Sequence, residues 1–171
     1  MKLLFISILA IGSFAQADFL SAYTSVADKD CVLISGSALE KNPEIDYATV
    51  ECPGLGGYQV MISGSDLRYP LQLTYQGKEI TLSQMLSFHE VASDKIEWLY
   101  SRQDHVITYH ALIHRLSVQV DEKSTEVLVV SKLKGADSCT VALVKGNSAN
   151  QRARVIAEKA SQMPCLNLNR E

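Results

Sequence analysis

Two histidines, His110 and His114, stand four residues apart. On a helix that spacing puts both imidazoles on one face, where they can chelate zinc. The surrounding run from Val106 to Val118 is rich in β-branched and aromatic residues, which reads as a strand instead. On a strand the two histidines share a face but are separated by roughly 13 Å, too far for one metal ion. His89 and His105 fall near expected turns and read as surface histidines. No metal site and no cofactor is expected.

Two short patterns carry charge beside chemistry. Asp66-Leu67-Arg68 reads as a surface ion pair or an anion-binding spot. Glu97 next to Trp98 offers a carboxylate against an aromatic face, which suits sugar chemistry. A small hydrolase could use Glu97 with Asp94 or Asp104, provided the two carboxyls converge to about 5–9 Å. The competing reading for both patterns is a strand that alternates core and solvent residues, with Trp98, the sole tryptophan, in the core. No Gly-x-Ser-x-Gly elbow is present. The glycines of Pro53-Gly54-Leu55-Gly56-Gly57 are followed by a β-prone segment. A phosphate loop needs a helix N-terminus there, so the segment reads as a turn.

Cys31, Cys52, Cys139 and Cys165 are the four cysteines. An exported chain with an even count pairs them as disulfides. Three connectivities are possible. The spacing favours Cys31–Cys52 and Cys139–Cys165, one staple near each end. None has Cys-x-x-Cys spacing, so redox exchange and a zinc finger have no support.

The elements that must position these residues are mostly strands. Asp18 to Ala27 reads as a short helix. Strands are expected over Cys31–Ser35, Tyr47–Cys52, Tyr58–Ile62, Leu67–Tyr75, Ile80–Ser83 and Ile96–Tyr100, and again over Val106–Val120, Glu126–Lys134 and Cys139–Lys145. Leu67, Tyr69, Leu71, Leu73 and Tyr75 alternate with polar neighbours, the period of a half-buried strand. Pro70 marks an edge or a bulge, and Gln76-Gly77 a hairpin turn. Gln84 to Asp94 reads as loop or as one or two helical turns. Ser148 and Gln151 form a capping-box pattern. It leads into a stripe of Ala149, Ala153, Ile156, Ala160 and Met163, an amphipathic helix over 149–163 that Pro164 ends. Short links favour antiparallel neighbours. The expected fold is α+β: an antiparallel twisted sheet or partial barrel of about eight strands, with one C-terminal helix packed on it.

Composition sets the address. The chain has 171 residues, with 16 Lys and Arg against 19 Asp and Glu. That lacks the basic excess of a nucleic-acid-binding domain. Residues 1–17 have the plan of a cleaved signal peptide: Lys2, an apolar run from Leu3 to Ile11, and Ala15-Gln16-Ala17 at the cleavage site. Removing Lys2 leaves 15 basic against 19 acidic residues, a net −4. No apolar run long enough to span a membrane follows. Residues 18–171 then form one disulfide-stapled domain, periplasmic or secreted.

Several of these residues also form a recognisable combination: Cys52-Pro53-Gly54, Gly56-Gly57-Tyr58 and Val60, then Asp66-Leu67-Arg68, Ile96-Glu97-Trp98, and Ser138-Cys139 with Val141-Ala142. Over roughly residues 22–160 the chain resembles a family of small exported bacterial proteins, mostly alphaproteobacterial, for which no activity can be carried over. It is more distantly similar to the periplasmic inhibitors of C-type lysozymes, small disulfide-bonded β-barrels with a Ser-Gly-x-x-Tyr loop. Here Ser63-Gly64-Ser65-Asp66-Leu67 has Leu where that motif has Tyr, and the helix over 149–163 has no counterpart.

The leading expectation is an exported, non-enzymatic binding or accessory module, with an envelope protein as partner and an exposed apolar patch as its mark. Lysozyme inhibition is a subcase that requires a protruding loop with a basic or serine-bearing tip. The alternatives are the carboxylate-pair hydrolase and a purely structural envelope protein.

Overall fold

The computed structural model describes residues 18–41, 44–82, 88–120 and 123–166. The expected signal peptide and the expected turn at Asp121-Glu122 lie outside the described residues, as do residues 83–87, which include the end of the expected strand Ile80–Ser83 and the start of the Gln84–Asp94 segment, of which His89–Val91 is a strand rather than loop or helix.

The chain is built from eleven strands in two antiparallel sheets and one helix among the described residues. The strands are β1 (Phe19–Ser25), β2 (Val32–Gly36), β3 (Tyr47–Cys52), β4 (Tyr58–Ser65), β5 (Leu71–Tyr75), β6 (Lys78–Thr81), β7 (His89–Val91), β8 (Lys95–Gln103), β9 (Val106–Val120), β10 (Lys123–Lys132) and β11 (Cys139–Val144). The smaller sheet runs in sequence order, β2-β3-β4-β5-β6. The larger runs β1-β8-β9-β10-β11, with β7 also paired to β9. The expected antiparallel sheet with a C-terminal helix is therefore present, split into two sheets rather than one and with more strands than expected.

Three layers follow from the side chains. Val60, Leu71, Leu73 and Ile80 of the smaller sheet pack on Ile96, Trp98 and Leu112 of the larger. On the opposite face of the larger sheet, Leu99, Ala111, Ile113, Leu128 and Val130 pack against Ala153, Ala157 and Ala160. Strands β8 and β9 are thus covered on both faces, and β10 buries Leu128 and Val130 toward the helix and Val127 and Val129 in a third cluster with Leu116 and Val118 of β9. Such strands carry continuous apolar runs, as in Ala111-Leu112-Ile113 and Val127-Leu128-Val129-Val130. Trp98 lies wholly inside the first layer and donates its Nε1–H to Thr24 Oγ1 at 2.9 Å. That bond satisfies the indole's only donor.

Helix α1 (Ala149–Lys159) continues as a 3₁₀ turn through Gln162. The predicted stripe faces the sheet, because small alanines let the helix sit close. The predicted capping box does not form. Ser148 adopts a left-handed conformation with φ of 58° and makes no side-chain cap bond. Its carbonyl instead accepts from Arg152 N at 3.1 Å.

The segment read as a helix over Asp18 to Ala27 is strand β1. It pairs with β8 from Phe19↔Ser101 to Ser25↔Lys95, a partner 70 to 82 residues away, so the pairing overrides local propensity. The alternating run predicted to start at Leu67 starts at Leu71, just after Pro70, since residues 66–68 are a turn. Gln76-Gly77 is the predicted hairpin turn, with φ of 50° and 78°.

Both expected disulfides form. Cys31–Cys52 fastens β2 to β3, and Cys139–Cys165 fastens the segment after the helix to β11. They close loops of 21 and 26 residues. Loop-closure entropy gives each about 3 kcal/mol. Replacing either pair by Ala should lower unfolding free energy in guanidinium by about 2–4 kcal/mol. The two losses should add, because the pairs sit in different sheets. A loss below 1 kcal/mol for either pair would show that its segment is held by packing alone.

Candidate functional site

The Asp66–Arg68 pattern forms the tip of the β4–β5 hairpin. Asp66 and Leu67 both have positive φ, 50° and 59°, and Arg68 N donates to Ser65 O at 3.0 Å. This is the two-residue turn whose twist matches the flanking strands. Leucine is disfavoured in that conformation by about 1–2 kcal/mol. Neighbours hold the tip: Tyr69 N donates to His89 O and His89 N to Leu67 O, at 2.8 and 2.9 Å. Gly64 is required beneath it, since a Cβ there would lie 1.8 Å from Arg68 O. The Asp66 carboxylate meets Arg68 Nη1 at 2.5 Å, and the guanidinium lies 4.6 Å from the centre of the Phe88 ring. Arg68 is thus neutralised locally, which is the ion-pair reading and not that of an open anion site. A hollow of about 100 Å³ beside the tip is lined by Tyr69, Phe88, Glu90 and Gln119 among others.

Glu97 and Trp98 are adjacent on β8 and therefore point to opposite faces. Trp98 enters the inter-sheet core, whereas Glu97 faces the helix. Its carboxylate accepts from Arg154 Nε and Nη2 at 2.8 and 3.1 Å and from Ser21 Oγ at 2.6 Å. Arg154 also donates to Tyr23 Oη at 3.1 Å. The site is a bidentate clamp joining α1 to β1 and β8. The carboxylate does not lie against the indole, and among its hydrogen bonds to described residues none involves Asp94 or Asp104. A neighbouring hollow of about 240 Å³ is lined by Lys95, Arg115, Asn150 and Arg154 among others. Both arginines there are tied down, Arg115 by Glu126 at 2.5 Å and by Asn150 at 2.9 Å.

The histidines differ from their sequence reading. Leu99 pairs with Ala111 but Tyr100 with Tyr109, so His110 is the extra residue of a β-bulge. Bulges re-aim side chains. His110 turns to the helix side, edge-on to Phe19 with ring centres 5.2 Å apart and 2.7 Å from Ser101 Oγ. Partial burial holds its pKa below the usual histidine value. His114 lies among the residues of the other face. The two do not share a face, and the cause is the bulge. His89 is not a surface residue: it is buried on β7. Among the described residues no group of three or more His, Cys, Asp or Glu converges on a metal position, and no helix is long and apolar enough to cross a membrane.

The surface that no motif indicated is the free edge of the smaller sheet. Among the described residues, strand β2 pairs with β3 and with no other strand. Its residues Val32, Leu33 and Ile34 are 65%, 39% and 50% exposed. Leu39 and Ile45, in the loop that follows, are 65% and 66% exposed. An edge strand is ordinarily blunted by charge, proline or a β-bulge; β2 contains no charge and no proline, and its register with β3 shifts between Leu33 and Ser35, which makes Ile34 the extra residue of a bulge. Five large aliphatic side chains are thus exposed within fifteen residues of sequence, on and just after the edge strand, and exposed apolar surface of this kind is a mark of interaction sites.

Charge concentrates at the same place. From Asp28 to Glu51, six carboxylates (Asp28, Asp30, Glu40, Glu44, Asp46 and Glu51) face two lysines, a net −4. The rest of the chain from Asp18 onward carries thirteen acidic and thirteen basic residues. The whole excess therefore lies around β2. None of the six forms an ion pair among the described residues. Their partners are neutral: Ser25 for Asp30, Ser37 for Asp46, Tyr47 for Glu40 and Gln59 for Glu51. The apolar signal was present in the sequence as Val32-Leu33-Ile34, but such a run reads equally as a core strand until its position in the sheet is known.

His114 makes a pH prediction. It is buried, neither ring nitrogen has a hydrogen-bond partner among the described residues, and burial, with a smaller contribution from His89, pushes its pKa down to about 3. The unfolded chain protonates near 6.5, so below that pH it binds a proton the folded state refuses. Stability should fall as pH drops from 6.5 toward 3, with a slope approaching 1.4 kcal/mol per unit from this residue. His114→Leu should remove that component of the slope in urea titrations at pH 7, 5 and 4. An unchanged slope would place the acid sensitivity elsewhere. Comparison with protein-family models, with curated proteins and with solved structures finds no match to this chain, so the reading of its function rests on its own geometry.

Proposed function

We propose that this chain is an exported, non-enzymatic binding module, periplasmic or secreted, that receives an extended segment of another protein on the edge of β2. The observation that carries this reading is the run Val32-Leu33-Ile34, exposed on an edge with no strand beyond it among the described residues. An added strand gains main-chain hydrogen bonds from the open edge and buries the aliphatic side chains, which is the physics of β-strand addition. The signal-peptide pattern of residues 1–17 and the two disulfides support export, since disulfides persist outside the reducing cytoplasm. The Cys31–Cys52 bond holds the receiving strand in place before any partner arrives, which lowers the ordering cost of binding.

Other readings have less support. The hydrolase reading needs a second carboxylate at Glu97, where the geometry offers an arginine. The inhibitor reading needs an available basic or serine-bearing tip. At the β4–β5 tip Arg68 is paired with Asp66, and Ser63 lies back in β4, where its hydroxyl meets that of Thr49 at 2.8 Å.

The test is site-specific photocrosslinking in cells producing the full chain. A photoreactive residue in place of Ile34 should yield discrete protein adducts. One in place of Val155, exposed on the outer face of α1, should not. Val32→Lys should suppress the adducts at position 34 by about tenfold without changing the melting temperature, as expected for an exposed site. Equal adducts from both positions, or none from position 34, would rule out the edge as the working surface.

A further inference from the structure

The surroundings of β2 specify what kind of segment it receives, and this inference rests on the proposed role of that edge. Strand β2 has five residues, a length of roughly 17 Å. Asp28 and Asp30 lie just before it, beyond Cys31. Glu40, Glu44 and Asp46 lie in the loop after Gly36. Counting Lys29 and Lys41, the end before β2 carries a net −1 and the loop after it a net −2, with Glu51 opposite Val32 on β3, so a negative excess stands at both ends of a short aliphatic centre. We propose that the segment docking on β2 is cationic, with an aliphatic centre of three to five residues flanked at each end by Lys or Arg.

Three observations support this pattern. First, the acidic groups are available: their hydrogen-bond partners are neutral, and no ion pair engages them among the described residues. Second, the negative charge is local. The rest of the chain sums to zero, so the net negative charge is carried by the segment that contains the edge strand. Third, the distances suit salt-screened attraction. The Debye length is about 8–10 Å at ordinary ionic strength, so charges grouped at each end of a strand some 17 Å long act mainly on their own end of the ligand. Two separate basic flanks match this better than one continuous basic run. Aliphatic residues between them would continue the surface of Val32, Leu33 and Ile34.

Charge also argues against a second copy as the occupant. Two β2 edges brought together would set one net −4 segment against another, and opposed like charges disfavour association. The basic residues elsewhere on the chain are balanced by acidic ones.

The experiment uses a labelled nine-residue peptide, Lys-Lys-Val-Thr-Val-Thr-Val-Lys-Lys, blocked at both ends, and its counterpart with Glu for every Lys. Fluorescence anisotropy reads binding to the mature, disulfide-bonded protein. The lysine peptide should bind saturably and weaken about tenfold when ionic strength rises from low to several times physiological. The glutamate peptide should not bind. Asp28→Asn with Glu44→Gln should weaken the lysine peptide several-fold, and Val32→Lys should abolish binding, both with an unchanged melting temperature.

Each contrary outcome is distinct. Equal binding of both peptides would overturn the cationic rule and leave the edge reading standing. Binding of the lysine peptide that survives Val32→Lys would place it elsewhere and overturn both. Absence of binding, with crosslinking at position 34 intact, would overturn the cationic rule alone. Sedimentation showing a dimer that Val32→Lys dissociates would assign the edge to a second copy and overturn the proposal.

Discussion

Burial of β8, β9 and β10 on both faces is the constraint on which the other features depend. Trp98 and Leu112 are directed into one interface, and Leu99, Ala111 and Ile113 into the other. One sheet with two covered faces needs two covers. The smaller sheet is one and helix α1 is the other. Each is fastened independently: the helix layer by the Glu97–Arg154 clamp and by Cys139–Cys165, the smaller sheet by Tyr58. The Tyr58 hydroxyl accepts from Gly135 N at 2.7 Å in the β10–β11 turn, a polar tie between the two sheets.

That arrangement uses the smaller sheet unevenly. Strands β3 to β6 supply its buried residues, with Cys52 from β3, whereas β2 supplies none of the large side chains in the core. Strand β2 is the outermost strand, and its stability comes from pairing with β3 and from the Cys31–Cys52 staple. Burial is therefore not what holds Val32, Leu33 and Ile34 where they are. A covalent link has replaced the contribution that core packing makes to other strands, and the aliphatic side chains remain outside.

Much of this could be read from residue order. The disulfide pairing followed from spacing, the helix from its alanine stripe, and the long hairpin partners from β-branched runs. The failures share one cause, which is dependence on a partner distant in sequence. Phe19 to Ser25 has no strong period of its own and becomes a strand because β8 is there to pair with it. His110 changes face because the register with β8 slips by one residue, a property of two strands together. His89 is buried because β7 lies on β9 and the β4–β5 tip closes over it. The site was hidden for the same reason. Val32-Leu33-Ile34 differs from Ala111-Leu112-Ile113 only in what lies beyond it, and composition within the run does not report that.

An exposed aliphatic edge is normally a hazard, because identical edges pair and aggregate. Charge offers a way for this chain to keep the edge open. The carboxylates do not sit within β2, where they would block any incoming strand. Asp28 and Asp30 sit before it, Glu40, Glu44 and Asp46 after it, and Glu51 on the neighbouring strand opposite Val32, while the apolar side chains of β2 stay exposed. Two copies then meet like charge at both ends of the strand, while a ligand with basic ends meets attraction. Self-association and partner binding would use the same backbone groups and the same side chains, so contact chemistry alone cannot separate them. The sign of the flanking charge can, and this accounts for both the apolar character of β2 and the location of the chain's whole net charge beside it.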